Sequence, residues 1–358
     1  MSKFQDNRKE IVENILNKIE NENLRFQDLW DREAGRPQNP LSGAKYSGGN
    51  RLILGYKAVE NEYKDPRWVT FVQAQKEGWK LAKGSKAATC EKWIFPEEKK
   101  EIDENGNTLI KLENRKAFPK QFNVFNAEQF ENAPQYEYKS LLQKDEAYEI
   151  VKDLIKSSEV PVKEIGQDRA YYNGSKDIIV MPLEQHFSKD EGMLSTLLHE
   201  MVHSTGHKER LNREQGKKGT NAYAREELVA ELGAVFLKQD LGIELKNDLE
   251  NHSAYLKSYL KVLRDDPNEL FRASVEAEKA SQRIMENYNE YLKEKSLQKV
   301  ETKEITNDST LEIKEQKKER NPWSKVPKEK DQEKNQVKDQ EKKNPWSKKK
   351  SNEKGIER

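Results

Sequence analysis

The sequence predicts a two-domain α+β protein with a charged C-terminal tail. Three observations carry that prediction. Short β-type runs beside Asn-Gly turn signals are interspersed with amphipathic helical stretches as far as about residue 295. A length of 358 residues leaves room for two domains of ordinary size. The charged fraction, 36%, is high and the hydrophobic fraction, 34%, is low for a soluble domain, which suggests folded domains carrying a solvated segment. The boundaries fall at 1–130, 140–295 and 296–358.

The elements follow in order. Residues from about 3 to 25 read as an amphipathic helix, with Ile11, Ile15, Leu16 and Ile19 at helical spacing. A turn-rich stretch, GRPQNPLSGAKYSGGNRL, comes next. Beyond it lie Asp65-Pro66-Arg67-Trp68 and the basic series Lys76, Lys80, Lys83 and Lys86. Strands are expected at 92–95 and 121–125, with Asn105-Gly106 as a hairpin turn between them. From about residue 140 a helix at 146–157 precedes two strands, 170–172 and 178–182, joined by Asn173-Gly174. Helices are then expected around residue 199, at 223–238, at 252–264 and at 269–293.

Residues 301–358 hold 17 basic and 13 acidic side chains and few apolar ones. Such a segment cannot bury enough surface to offset its ordering entropy and is expected to be disordered. Asn321-Pro322-Trp323-Ser324-Lys325 recurs in it as Asn344-Pro345-Trp346-Ser347-Lys348. The repeat fits a docking element for an unknown partner, and it fits duplicated linker equally well.

Some classes are excluded. Cys90 is the one cysteine, so there is no intramolecular disulfide framework and no cysteine-ligated zinc. No apolar run reaches eighteen residues and the N-terminus has no apolar signal core, so a cytoplasmic protein without a membrane span is expected. A formal net charge of +1 confines any nucleic-acid binding to local patches.

The chemistry concentrates at His199-Glu200-Met201-Val202-His203, an H-E-x-x-H string inside an apolar helix-period run. One turn apart on a helix, His199 and His203 project from one face and can share a Zn²⁺, with Glu200 where a metallopeptidase keeps its general base. Ser188 and Glu191 have capping-box spacing for that helix. A third ligand is needed. Glu227 and Glu231, four apart on a downstream helix, could supply one ligand and one acceptor for a histidine ring N–H. We take Glu227 as the ligand and Glu231 as the acceptor; the reverse order fits the spacing too, and His207 and Glu209 remain as other options. Tyr223, just upstream, is an oxyanion donor or a packing residue.

The N-terminal half carries the ingredients of a single-strand reader, cations for phosphates and aromatic faces for bases. Arg36, Lys45, Arg51, Arg67, Lys80, Lys83 and Lys86 are interleaved with Tyr46, Trp68, Trp79 and Trp93. The competing reading makes the tryptophans core and the lysines a solvated face.

Several rare strings occur here together: G-R-P-x-N-P-x-S-G-x-x-Y-x-G-x-N from Gly35 to Asn50, D-P-R-W-x-T-F-x-Q-A from Asp65 to Ala74, K-G-S-K from Lys83 to Lys86, and V-F-N-x-E-Q from Val124 to Gln129. Later come T-L-L-H-E-M-V-H-S-T-G-H from Thr196, R-L-N-R from Arg210 and Y-A-R-E-E-L-V-A-E-L-G-A from Tyr223. In that order they resemble ArdC-type antirestriction proteins over roughly residues 5–295. The resemblance implies an N-terminal single-stranded-DNA-binding domain joined to a zincin-like metallopeptidase domain, protecting incoming mobile-element DNA. It implies Zn²⁺ on His199, His203 and one glutamate of the Glu226-Glu227-x-x-x-Glu231 string, with Glu200 catalytic. The candidate DNA contacts in the N-terminal domain are Arg36, Tyr46, Asn50, Arg51, Arg67, Trp68, Lys83 and Lys86. A protein or peptide is the expected substrate. The alternative is a non-enzymatic DNA-coating or protein-docking factor with a structural zinc.

Overall fold

The computed structural model describes residues 3–21, 35–96, 98–102, 108–112, 116–137, 144–187, 190–242 and 253–319. The protein is α+β. Helix α1 (Lys3–Asn21) buries the predicted apolar stripe, Ile11, Val12, Ile15, Leu16 and Ile19. Helix α2 (Gly48–Glu60) was not anticipated. Leu52, Ile53, Leu54 and Tyr56 are all buried, so it is apolar on most sides and lacks the one-sided periodicity that betrays a surface helix. Strand β1 (Trp68–Val69) leads into the short helix α3 (Phe71–Lys76), which starts at a Thr70–Gln73 capping box.

The two expected strands are β2 (Ala88–Ile94) and β5 (Phe118–Asn126), paired antiparallel with Cys90 opposite Phe122; β1 joins the far edge of β5. Between them β3 (Glu98–Ile102) and β4 (Thr108–Leu112) form a separate antiparallel pair. The Asn105-Gly106 turn lies outside the described residues.

The second half begins with α4 (Lys144–Ser157). Strands β6 (Val162–Ile165), β7 (Tyr171–Asn173) and β8 (Ile178–Pro182) form a sheet of order β6-β8-β7, with β7 antiparallel and β6 parallel to β8. Strand β6, largely exposed and lysine-bearing, gave no sequence signal. Helix α5 (Asp190–Thr205) carries the H-E-x-x-H string; the Ser188 of its expected capping box is outside the described residues. Helix α6 (Asn221–Leu241) starts at Thr220, whose side chain accepts the Tyr223 N–H, and ends at Gly242 in the left-handed region. Helices α7 (Ser253–Asp265) and α8 (Asn268–Glu319) are the last of the described elements. Helix α8 runs past the expected tail boundary at 296, through residues rich in Lys, Glu and Gln that favour helix. The Asn-Pro-Trp-Ser-Lys repeats lie outside the described residues.

Residues 1–298 form one compact unit and 299–358 a second. The main core of the first unit draws on both halves of the sequence: Ile15, Leu52 and Tyr56 pack in the same cluster as Leu198, Leu228, Leu263 and Phe271. A smaller cluster under β2 and β5 holds Leu54, Trp68, Cys90 and Val124. Burial and the neighbouring Glu91 push the Cys90 thiol far up, which makes it a packing residue rather than a nucleophile. Among the described residues no helix is long and apolar enough to cross a membrane.

Candidate metal centre

Helices α5 and α6 approach closely where Gly233 meets Val202. A Cβ on Gly233 would stand 2.7 Å from a Val202 methyl, so glycine sets the approach. Leu197, Leu198, Met201 and Val202 on α5 and Leu228, Val229 and Leu232 on α6 are buried around this crossing. The polar edges of both helices then face each other.

His199 and His203 turn their Nε2 atoms to within 3.1 Å, with the rings nearly perpendicular. Glu227 supplies the third corner, its carboxylate oxygens 3.6 Å from His199 Nε2 and 3.7 Å from His203 Nε2. Ligand atoms held 2.0–2.1 Å from a tetrahedral zinc stand about 3.3–3.4 Å apart, so this donor triangle has the size such an ion needs. Among the described residues it is the one His/Cys/Asp/Glu group of that compactness.

The partners behind the triangle are resolved. Glu226 accepts from His203 Nδ1 (3.2 Å) and takes a two-pronged hydrogen bond from Arg213, 2.9 and 2.8 Å. Arg213 also donates to the Val202 carbonyl and the Thr205 hydroxyl, tying Glu226 to the end of α5. Glu231 stands 3.9 Å from His199 Nδ1. The Tyr223 hydroxyl hydrogen-bonds Glu227. Glu200 is 8% exposed, and the backbone N–H of Tyr172 on β7 donates to its carboxylate at 2.8 Å. That strand is itself clamped: Asp177 accepts from the Tyr172 hydroxyl and from Arg210, and Arg210 also donates to the Ser204 carbonyl at the end of α5.

The electrostatics fit a cation site. Burial alone would lower the His203 pKa, but the Glu226 hydrogen bond and the charges of Glu227, Glu226 and Glu200 raise it to about 9. Burial disfavours the Glu227 carboxylate, yet hydrogen bonding from His199 and both imidazole charges bring it down to about 2. The same negative surroundings that raise the His203 pKa would favour a bound cation, which competes with protons for the imidazoles.

The structure thus brings together His199, His203 and Glu227, with Glu231 behind His199. Glu226, which the resemblance left as one possible ligand, holds His203 instead; the Glu-Glu pair was its signal, which spacing alone could not apportion. Helix α5 ends at Thr205. His207 sits in the turn beyond, and neither it nor the exposed Glu209 joins the triangle.

Most of the suggested DNA contacts are spent internally. Arg51 is fully buried, stacked 4.2 Å over the Phe236 ring and bonded to Gln239, Asp240, Glu278 and the Phe236 carbonyl. Arg36 pairs with Asp240 and Glu278. Both guanidiniums satisfy buried acids of α6 and α8, which corrects the expectation that they meet phosphate. Trp68 is 1% exposed and is a core residue. Tyr46 donates to the Trp68 carbonyl, and Asn50 makes two hydrogen bonds with the Glu91 backbone. Arg67 pairs with Asp65 and donates to the Pro134 carbonyl. Lys83 and Lys86 stay exposed, as do Lys76 and Lys80, and none forms an ion pair with a described residue.

A zincin-like metallopeptidase family model matches residues 149–276, and a model of the N-terminal domain of anti-restriction factor ArdC matches residues 5–125. The fold and site therefore define a zincin-type module joined to an ArdC N-terminal module. The crystal structure of metal-free antirestriction protein ArdC from plasmid R388 is 30% identical with a TM-score of 0.64, covering 79% of this chain and 98% of that one. Its Mn(II)-bound form is 31% identical with the same TM-score, covering 78% and 97%. The chain belongs to the ArdC antirestriction family. DNA primase TraC of Escherichia coli is 32% identical over 307 residues; these span 81% of this chain but 28% of the primase.

Proposed function

We propose that this protein binds single-stranded DNA and protects incoming mobile-element DNA from restriction, and that its zincin module is a zinc metallopeptidase acting on a protein or peptide. The observation that carries the enzymatic part is the His199–His203–Glu227 triangle with Glu200 one residue from its first ligand. Two imidazoles and a carboxylate suit Zn²⁺ and leave a position open. A zinc ion bound there would supply a Lewis acid and a water of lowered pKa.

The chain's own groups do the rest. Glu200, fixed by the Tyr172 N–H, takes a proton from the attacking water and returns it to the leaving amine. Glu226 fixes the His203 ring, with Arg213 holding Glu226 in turn. Tyr223, bonded to Glu227, stands beside the ligand set rather than within the packed core. The DNA-binding part is supported by the ArdC and TraC relatives, and the exposed lysines 76, 80, 83 and 86 offer it phosphate contacts. Cytoplasmic action is part of the same reading.

Glu200→Gln tests it. The variant should keep its zinc and its DNA affinity while losing proteolysis and restriction protection. Protection persisting at wild-type level in that variant would overturn the enzymatic reading in favour of a DNA-coating protein with a structural metal.

A further inference from the structure

A cleft of about 380 Å³ lies where β2, the start of α2 and α8 meet. Its walls include Trp93, Phe271 and Val275; Trp93 is 44% exposed and Val275 45%. The charges lining its interior are already matched. Arg8 forms a two-pronged pair with Glu91, and Glu278 accepts from Arg36, Arg51 and the Gly48 N–H. A phosphate entering the cleft would thus have to break bonds that are already made. Lys279 is different: it makes an exposed i,i+3 ion pair with Glu276, an interaction worth little. Gln282 donates to Glu278 and keeps its amide oxygen as an acceptor.

The cleft is therefore neutral and aromatic within and has a lysine on its lining that is free to turn outward. Its volume suits one nucleobase with its sugar. A base held in a duplex cannot enter, because stacking and pairing keep it in the helix; an unpaired base can, with its phosphate left outside near Lys279. We propose that this cleft, lying between the two modules, receives a base of the bound single-stranded DNA and stacks it against Trp93. This rests on the single-strand reading above; the cleft takes in the end of the first family string, Ser47 to Asn50, and adds Trp93, Val275 and Lys279, which no family string includes. Helix α8 belongs to the other half of the sequence, so the DNA would touch both modules.

The test uses the full-length protein and a fluorescent oligothymidine, read by anisotropy. Trp93→Ala should weaken binding by about 5- to 150-fold, the range for removing one base-stacking aromatic, and Trp93→Phe should recover most of it. Val275→Glu, an exposed change on α8 far in sequence from the N-terminal module, should weaken binding too. Thermal unfolding and metal content should not change in any of the three. Wild-type affinity in both Trp93→Ala and Val275→Glu overturns the cleft while leaving DNA binding standing. A wild type that binds no oligonucleotide overturns the single-strand reading and the cleft with it. Equal affinity for duplex and single strand also overturns the cleft, since a duplex has no base to insert.

Discussion

Helix α6 carries two buried charged clusters, about 20 Å apart at 1.5 Å per residue, and they are built on opposite principles. At its C-terminal end, Arg36 and Arg51 meet Asp240 and Glu278, two cations and two anions that close on one another. At its N-terminal end, Glu226, Glu227 and Glu231, with Glu200 opposite, face two imidazoles and the Arg213 guanidinium. Four carboxylates against one permanent cation leave an excess of negative charge that imidazole protonation or a bound divalent metal would reduce. A buried charge cluster that balances itself is architecture; one left strongly negative without an added cation is a candidate site.

The contrast can be broken first at the metal end. Glu227→Ala should abolish stoichiometric zinc, measured by elemental analysis of purified protein. Glu226→Ala, which removes only the support of His203, should weaken zinc by about 10- to 100-fold. If Glu231→Ala instead abolished zinc and Glu227→Ala did not, the two roles would be exchanged.

At the closed end, Arg51→Met should cost about 3–5 kcal/mol in urea unfolding, because Asp240 and Glu278 would lose a buried partner. Zinc content of the folded fraction should be unchanged. A loss well below 1 kcal/mol would mean that water reaches this cluster. Gly233→Ala sits between the two ends and should cost about 1–3 kcal/mol through its clash with Val202, with zinc affinity falling in step as α5 and α6 separate.

The pH dependence sharpens the same comparison. His203 in the metal-free protein has its pKa raised to about 9. A raised folded value stabilises fully below the unfolded value, about 6.5, and is lost as pH rises through about 9. The metal-free protein should therefore lose stability between those limits in chemical-denaturation midpoints, whereas the zinc-loaded protein, with His203 already deprotonated, should not. Thr220→Ala should have the smallest effect, about 1 kcal/mol from a lost N-cap, with both clusters intact.

Legibility in the sequence followed the same division. Helix α5 and its pair of histidines were readable because ligand spacing on one helix is a local property. Glu227 was preferred to Glu231 from their spacing on a second helix, but the distances that separate them, 3.6 and 3.7 Å from the two Nε2 atoms for Glu227 and 3.9 Å from His199 Nδ1 for Glu231, depend on how α5 and α6 pack at Gly233. The arginines were misread for a clear reason: Arg36 and Arg51 stand among glycines and prolines and look like surface phosphate contacts. Their acids, Asp240 and Glu278, lie about 200 residues away. The Val124–Gln129 string proves to be folding chemistry: Asn126 caps a short 3₁₀ helix and donates to the Asp65 carbonyl, while Glu128 accepts from the Lys64 and Asp65 N–H groups. Helix α2 escaped notice because it is buried on most sides.

By itself the sequence determined what depends on neighbours within a turn or two of chain: the helix bearing His199, Glu200 and His203, the strands at 170–172 and 178–182, and the charged C-terminal stretch. The tertiary structure decided which buried charges meet. A charge leaves water only where a partner from elsewhere in the chain is waiting. Whether an arginine binds DNA or braces a seam, and which glutamate completes the triangle, is therefore fixed by packing and not by spacing.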